Sequence, residues 1–282
     1  RDLELLRALC DLRALTTDQV RRLAFPSEQT ALRRLRRLES ANLVRCFGTP
    51  ASAVRVVTLT RRGSEVVTTE RGSVRAAALP SPVFLRHLVA VNDLRIALGH
   101  CLRERKDVEL VAFASDRDRA FVGNGRQPKP LLSLETSSEG AAGMLRHVPD
   151  AAFLLRRGTR SAGFLAELDL GTEVVGDRRR GVGKAIHFYL NALPQGVRGP
   201  ETFFGAGGTS TYRVLFLTTS EQRIQNIRRR WGTLPTKPEA VKRFVWLGTL
   251  DVLQGNEFLR HPWRSLDPLD GAQYTMIHER EE

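Results

Sequence analysis

Apolar residues recur along this chain with two different periods, and the points where one period yields to the other mark its elements. Leu3, Leu5, Leu6, Leu12 and Leu15 sit at mixed helical spacings, which predicts a first helix over residues 2–14. Thr16 or Thr17 is placed to cap a second helix, residues 18–25, which Pro26-Ser27 breaks, and Ser27 can cap a third that runs to about residue 40. In that third helix Leu32, Leu35 and Leu38 form a narrow apolar stripe. Its opposite face carries Thr30, Arg33, Arg34 and Arg37, flanked by Gln29 and Ser40. Asn42 lets the chain turn. Residues 44–47 and 53–59 are strand-like and predict a hairpin, and Leu59-Thr60-Arg61-Arg62-Gly63 opens another short helix.

Residues 71–82, with Gly72, Ser73, an Ala run and Pro80-Ser81-Pro82, read as a linker, which gives domains at 1–78 and 79–282. Beyond it, residues 83–104 predict a long helix, apolar on more than one face and so buried. His87 and Asn92 interrupt it and are expected to serve as hydrogen-bonded core or cap residues. Residues 108–115 alternate like a strand. Residues 116–143 are polar and read as an irregular excursion with one short strand at 131–134. Asp177 is placed to cap a helix over 178–193, and a Gly-rich loop, 196–208, leads to a buried strand at 212–218. Ser220 caps a further helix to Trp231, and a final strand covers 243–250. No internal repeat is present.

Composition narrows the class. At 282 residues the chain is comfortable for two domains, and 41% hydrophobic with 27% charged content belongs to a soluble globular protein. The formal charge of +13, carried mostly by Arg, points to a polyanion, first of all nucleic acid. Residues 1–78 hold 15 basic and 8 acidic side chains, so about half of the excess lies there (15 − 8 = +7). Cys10, Cys46 and Cys101 are scattered and form no metal-ligand pattern, which suits free thiols in a reducing, cytoplasmic setting. No apolar run is long enough for a transmembrane helix, so no membrane partner is expected. The chain begins at Arg1 rather than Met, so residues are expected to precede it, and a targeting segment is left open.

The chemistry concentrates in residues 148–173, V-P-D-A-A-F-L-L-R-R-G-T-R-S-A-G-F-L-A-E-L-D-L-G-T-E. Two strands, 149–156 and 163–170, flank turn chemistry at Arg-Gly-Thr-Arg-Ser. Alternation puts Glu167 and Asp169 on one face and Phe164, Ala166, Leu168 and Leu170 on the other. A tight turn near 158–161 would set Asp150 across from Glu167 or Asp169. Carboxylates gathered in this way repel unless they share a cation or a proton, and such a ligand set suits Mg²⁺ or Mn²⁺.

Three helices and a hairpin, with a basic face on the third helix and Leu-Thr-x-x-Gly after the wing, resemble a winged helix-turn-helix. The resemblance implies that Gln29, Thr30, Arg33, Arg34 and Arg37 contact DNA in the major groove, with Arg61, Arg62 and the 48–53 loop near the phosphates. A solvated face or a protein-protein contact is the alternative. From residue 83 the αβββαβ order, with Pro149-Asp150 opening one strand and Glu167-x-Asp169 in the next, resembles the PD-(D/E)xK nuclease core. In that superfamily the acidic pair holds a divalent metal, and a Lys two residues after the Glu helps to activate water. Here Asp169 stands at the Lys position. Lys184, from the following helix, is the stand-in base, although wheel geometry turns it toward solvent, and Arg178 falls nearer the inner face. The whole pattern, with "PDAAFLL…FLAELDLGTE" and a helix bearing Lys184 and Tyr189, resembles the replication-relaxation family of bacterial mobile elements.

The expected fold is therefore α/β (α+β), a winged helix followed by a PD-(D/E)xK-like domain. The expected function is that of a DNA-binding protein of a plasmid or integrative element, acting in replication, mobilisation or DNA relaxation. Two mechanisms stand side by side. In one, Asp150, Glu167 and Asp169 hold Mg²⁺ or Mn²⁺ for endonucleolytic cleavage or nicking, with Lys184 or Arg178 steadying charge. In the other, the protein is a non-catalytic regulator or replication accessory with a degenerate nuclease fold, its acids paired with Arg178–Arg180 or with Arg146 and His147. A weaker third, a Tyr-dependent relaxase, would use Tyr189, Tyr212 or Tyr274. Expected partners are double-stranded DNA, a relaxase or replication protein, and a second copy of the chain.

Overall fold

The helices expected at the start of the chain form, and each stops for a local reason. α1 (Asp2–Leu12) ends where Arg13 takes a φ of 65°, outside the helical region. Ala14 then opens a short strand that the helical spacing had concealed, β1 (Ala14–Thr16). Leu15, grouped with the first helix by its spacing, is thus a buried strand residue. α2 (Thr17–Ala24) is capped by Thr16 in a reciprocal capping box with Gln19, and α3 (Glu28–Ser40) by Ser27. In α3 the buried positions are Ala31, Leu35 and Leu38, with Leu32 only half-buried. The hairpin pairs β2 (Val44–Thr49) with β3 (Ser52–Leu59), and β1 adds to it to give the sheet order β1-β3-β2. α4 (Arg61–Arg71) follows, and then the long α5 (Pro82–Glu104).

The computed structural model describes residues 1–49, 52–71, 81–120, 129–137, 144–195, 212–232 and 239–277. The stretch read as a linker lies largely outside them, as do the tip of the β2–β3 hairpin and the Gly-rich 196–208 segment. The chain is mixed α/β and divides into two units, Arg1–Ile96 and Ala97–Glu282. Most of α5 belongs to the first unit. There Asn92, 2% exposed, donates from Nδ2 to the carbonyls of Leu12 (3.1 Å) and Ala14 (2.7 Å). These are the orphan carbonyls where α1 gives way to β1, so a core asparagine finishes the helix end that lacks a glycine. Gln19 Nε2 donates to the Val89 carbonyl at 2.8 Å, and Arg22 pairs with Asp93.

The second unit is built on a seven-stranded mixed sheet, ordered β14-β13-β12-β11-β10-β9-β4. Its strands are β4 (Glu109–Ser115), β9 (Ala151–Arg157), β10 (Arg160–Asp169), β11 (Tyr212–Thr218), β12 (Val245–Thr249), β13 (Trp263–Ser265) and β14 (Gln273–Tyr274). Between β4 and β9 the polar stretch expected to be mostly irregular contains two small ribbons. These pair β5 (Arg119–Ala120) with β6 (Lys129–Pro130), and β7 (Leu134–Ser137) with β8 (Met144–His147). β9 and β10 pair antiparallel, while β10, β11 and β12 run parallel. The helices are α6 (Gly181–Gln195), α7 (Glu221–Ile227), which is capped by Ser220 and runs into a π-helical turn at Arg228–Gly232, and α8 (Glu239–Lys242). α6 starts later than Asp177 would suggest, because Gly181 takes a φ of +54° that no helix interior adopts.

The alternation along β10 holds. One face of the sheet, with Leu165, Ala152, Leu154, Val214 and Phe216, packs on Val182, Ile186 and Tyr189 of α6 and on Ile224 and Ile227 of α7. The other is aromatic: Phe153 stacks on Phe164 at 4.9 Å between ring centroids, with Phe258 and Trp246 beside them. Cys10, Cys46 and Cys101 form no disulfide, and no helix among the described residues is long and apolar enough to cross a membrane.

Asn92→Ala is expected to lower the unfolding free energy by about 1–3 kcal/mol, since two buried carbonyls lose their donor. Urea denaturation measures this, and an unchanged midpoint would mean that those carbonyls find other donors.

Candidate functional site

The apolar face of β10 changes character at its C-terminal end. The β9–β10 register runs to Ala166 opposite Ala151, and one further step brings Glu167 opposite Asp150. Asp150 Oδ2 accepts from the Leu168 backbone N–H at 2.6 Å, which fixes that carboxylate against β10. Glu167 is 8% exposed and Asp169 3%, on the face that meets α6 and α7. This is where the parallel strands β10, β11 and β12 end together, the position at which open α/β sheets receive ligands.

What surrounds the acids comes from elsewhere in the chain. Glu167 Oε1 accepts from the Tyr189 hydroxyl of α6 at 2.5 Å and lies 2.7 Å from His147 Nε2 at the end of β8. His147 is wedged edge-on against Tyr189 and tilted against Phe188, both at 5.3 Å between centroids. Asp169 is clamped by the Arg223 guanidinium of α7, with Nη2 to Oδ1 at 2.9 Å and Nε to Oδ2. It also accepts from the Thr218 hydroxyl at 2.8 Å and the Gly171 N–H at 3.0 Å. The two acids thus occupy separate hydrogen-bonded compartments, one lined by an imidazole and a phenol, the other by a guanidinium.

Donor occupancy decides how far this arrangement fits a divalent metal. Both oxygens of Asp169 are taken by a cation and a hydroxyl, and one oxygen of Glu167 takes two donors. Among the described residues no group of three or more His, Cys, Asp or Glu is placed to hold a metal ion. The acids in this arrangement do not fit Mg²⁺ or Mn²⁺. Asp169 binds the Arg223 guanidinium instead of a metal.

Burial works against protonation of His147, but the Glu167 carboxylate that it touches, with Asp150 behind it, raises its pKa above the ordinary value, while Lys184 pushes the other way. Burial likewise drives the Tyr189 phenol well above its usual pKa, reinforced by the Glu167 carboxylate. Tyr189 has 0% exposure, so it has no route to a phosphodiester and acts as a donor to Glu167. Lys184 is exposed, as the wheel geometry implied. Arg178 is exposed in the turn before α6, rather than on an inner helical face.

In the first unit, Gln29, Arg33 and Arg37 are exposed on α3, as are Arg61 and Arg62 on α4. Thr30 is half-buried and its hydroxyl meets Ser27 Oγ at 3.0 Å. Arg34 is held by Asp2 of α1, and Arg61 pairs with Glu65 at 3.0 Å. The residues that sequence reasoning did not assign to the site are Thr218 and Arg223. The only signal for either is a polar residue at the end of an apolar strand and an arginine one turn into the next helix. His147 was in view as a partner for the acids and pairs with Glu167, while Tyr189 was in view in another role.

Because its folded pKa is raised, His147 contributes stability that is fully present below about pH 6.5 and is lost as pH rises through the raised value. Unfolding free energy measured in steps from about pH 5.5 to about pH 9 is therefore expected to fall with pH more steeply in the native chain than in His147→Gln. Parallel curves would rule the ion pair out. Arg223→Met leaves Asp169 charged and buried and is expected to cost about 3–5 kcal/mol, most of it recovered in Asp169→Asn/Arg223→Met. Thermal and urea denaturation of the pair of variants measures both effects.

The family model described as replication-relaxation matches residues 6–191. No curated protein and no solved structure matches the chain.

Proposed function

The chain belongs to the replication-relaxation family, which points to a role in the replication or relaxation of mobile elements, and on that premise we propose that it is a DNA-binding accessory protein of a plasmid or integrative element. In this reading the first unit is a winged helix that docks α3 on duplex DNA. The second is a PD-(D/E)xK-like fold used as a scaffold. The observation that carries the first half is the exposed face of α3. Arg33 and Arg37 stand there beside Gln29 with no ion pair among the described residues, while Arg34, one position on, is spent on Asp2. Unpaired guanidinium groups on a helix surface suit phosphate and base edges better than a protein core. The scaffold half is supported by the pairing of Asp169 with Arg223 and of Glu167 with His147, with a further hydrogen bond to Glu167 from the Tyr189 hydroxyl.

Metal-dependent cleavage is a second reading, favoured by the approach of Asp150 to Glu167 across the hairpin. It requires Glu167 to release His147 and Tyr189. Supercoiled plasmid incubated with the protein and Mn²⁺, beside Asp150→Ala/Glu167→Ala, separates the two: the scaffold reading expects no nicking by either, and nicking lost only in the variant establishes cleavage.

For DNA contact, Arg33→Ala/Arg37→Ala is expected to weaken duplex binding and to reduce the slope of log affinity against log salt by about 0.9 for each phosphate no longer neutralised. Fluorescence anisotropy across a salt series reads both. Unchanged affinity and slope would move the DNA-binding face off α3.

A further inference from the structure

The segment between β10 and α6 carries Arg178, Arg179 and Arg180 in a row, all exposed. Among the described residues none of them makes an ion pair, whereas Arg156, Arg157, Arg223 and Arg264 of the same unit do. Adjacent unpaired guanidinium groups repel one another, and on a floppy loop they would simply spread into solvent. This loop is not floppy. Asp177 Oδ1 accepts from the Arg179 N–H at 2.8 Å, and the Arg180 carbonyl accepts from the Lys184 N–H at 3.2 Å. Trp231 Nε1 donates to the Val175 carbonyl at 2.7 Å, and Arg223 Nη2 to the Glu173 carbonyl at 2.6 Å. Gly183 lies so close that an added Cβ would meet the Asp177 carbonyl oxygen at 2.3 Å.

The same anchoring brings up charge from a second element. A Cβ on Gly176 would lie 3.8 Å from Arg230 Nε, so Arg230 of the π-helical turn lies against this loop, and exposed Lys184 follows one turn into α6. Glu173 and Asp177 of the loop itself offset part of this charge, but five basic against two acidic side chains still leave an excess (5 − 2 = +3), and the buried acids beneath have their own partners, Asp169 with Arg223 and Glu167 Oε1 with Tyr189 and His147. An anion at the loop therefore meets a surface on which exposed guanidinium groups outnumber carboxylates.

From this juxtaposition we infer that the 173–180 loop, with Lys184 and Arg230, is a second nucleic-acid surface that grips the phosphodiester backbone independently of α3. It rests on the DNA-binding reading above for the identity of the polyanion. Arginine rather than lysine in the row suits bidentate contact with phosphate oxygens, and a pinned backbone spares the ordering cost on binding. No base edge is read here, so the grip is independent of sequence.

The full chain with Arg178→Ala/Arg179→Ala/Arg180→Ala tests it, by anisotropy on duplex and single-stranded probes of unrelated sequence across a salt series. Affinity should fall at least about tenfold at low salt, and on the duplex the salt slope should drop by about 0.9 for each phosphate released. The same three positions changed to Lys should keep most of the slope. Should the triple variant fail to fold, Lys184→Ala/Arg230→Ala should lower the slope in the same sense. Unchanged affinity and slope on both probes in a folded triple variant overturns the surface. If that result accompanies loss of binding in Arg33→Ala/Arg37→Ala, the α3 reading stands alone. Loss in the triple variant with none in the α3 variant keeps this surface and removes the other.

Discussion

Two carboxylates two residues apart on one face of a core strand cannot both stay charged and buried without partners, and the second unit is arranged around supplying them. Glu167 and Asp169 lie under α6 and α7 at 8% and 3% exposure. An unpaired charge at such a place would cost several kcal/mol. Each instead has its own donors, a phenol and an imidazole for one, a guanidinium and a hydroxyl for the other. The helices that bring those donors also bury the apolar face of the sheet. Packing and polar satisfaction are therefore one constraint: α6 cannot shift without exposing Tyr189, and α7 cannot shift without stranding Asp169.

That constraint bears on function. The cation that the Asp169 carboxylate takes is built into the fold as Arg223. Beyond the paired acids at the end of the sheet, the arginine row of the 173–180 loop stands exposed. Asp169 is paired with an arginine from α7, and that arginine also ties down the loop through the Glu173 carbonyl.

Much of this is legible along the chain because it depends on near neighbours. The caps at Thr16, Ser27 and Ser220 need only the following turn, and each forms where the residue pattern puts it. The β9–β10 hairpin is legible because its alternation and its turn residues agree, and its register runs to Ala166 opposite Ala151, with Asp150 bonded just beyond to the Leu168 N–H. Elements short enough to escape periodicity are not legible. β1 hides behind a helix whose end depends on a non-glycine residue at positive φ, and β13 and β14 at the sheet edge are three and two residues long. The β7–β8 ribbon is concealed in a polar stretch, and it is the element that delivers His147.

Residue order alone is enough to settle the strands, most of the helices, the basic balance and the gathering of acids at one end of one hairpin, since period, capping and turn chemistry act over a few residues. It does not settle what those acids face. His147, Tyr189, Thr218 and Arg223 lie between 20 and 54 positions from the carboxylates they serve. The packing of α6 and α7 on the sheet is what brings protein donors to them, because a hydrogen bond is set by distance and angle in three dimensions, and spacing along the chain carries neither.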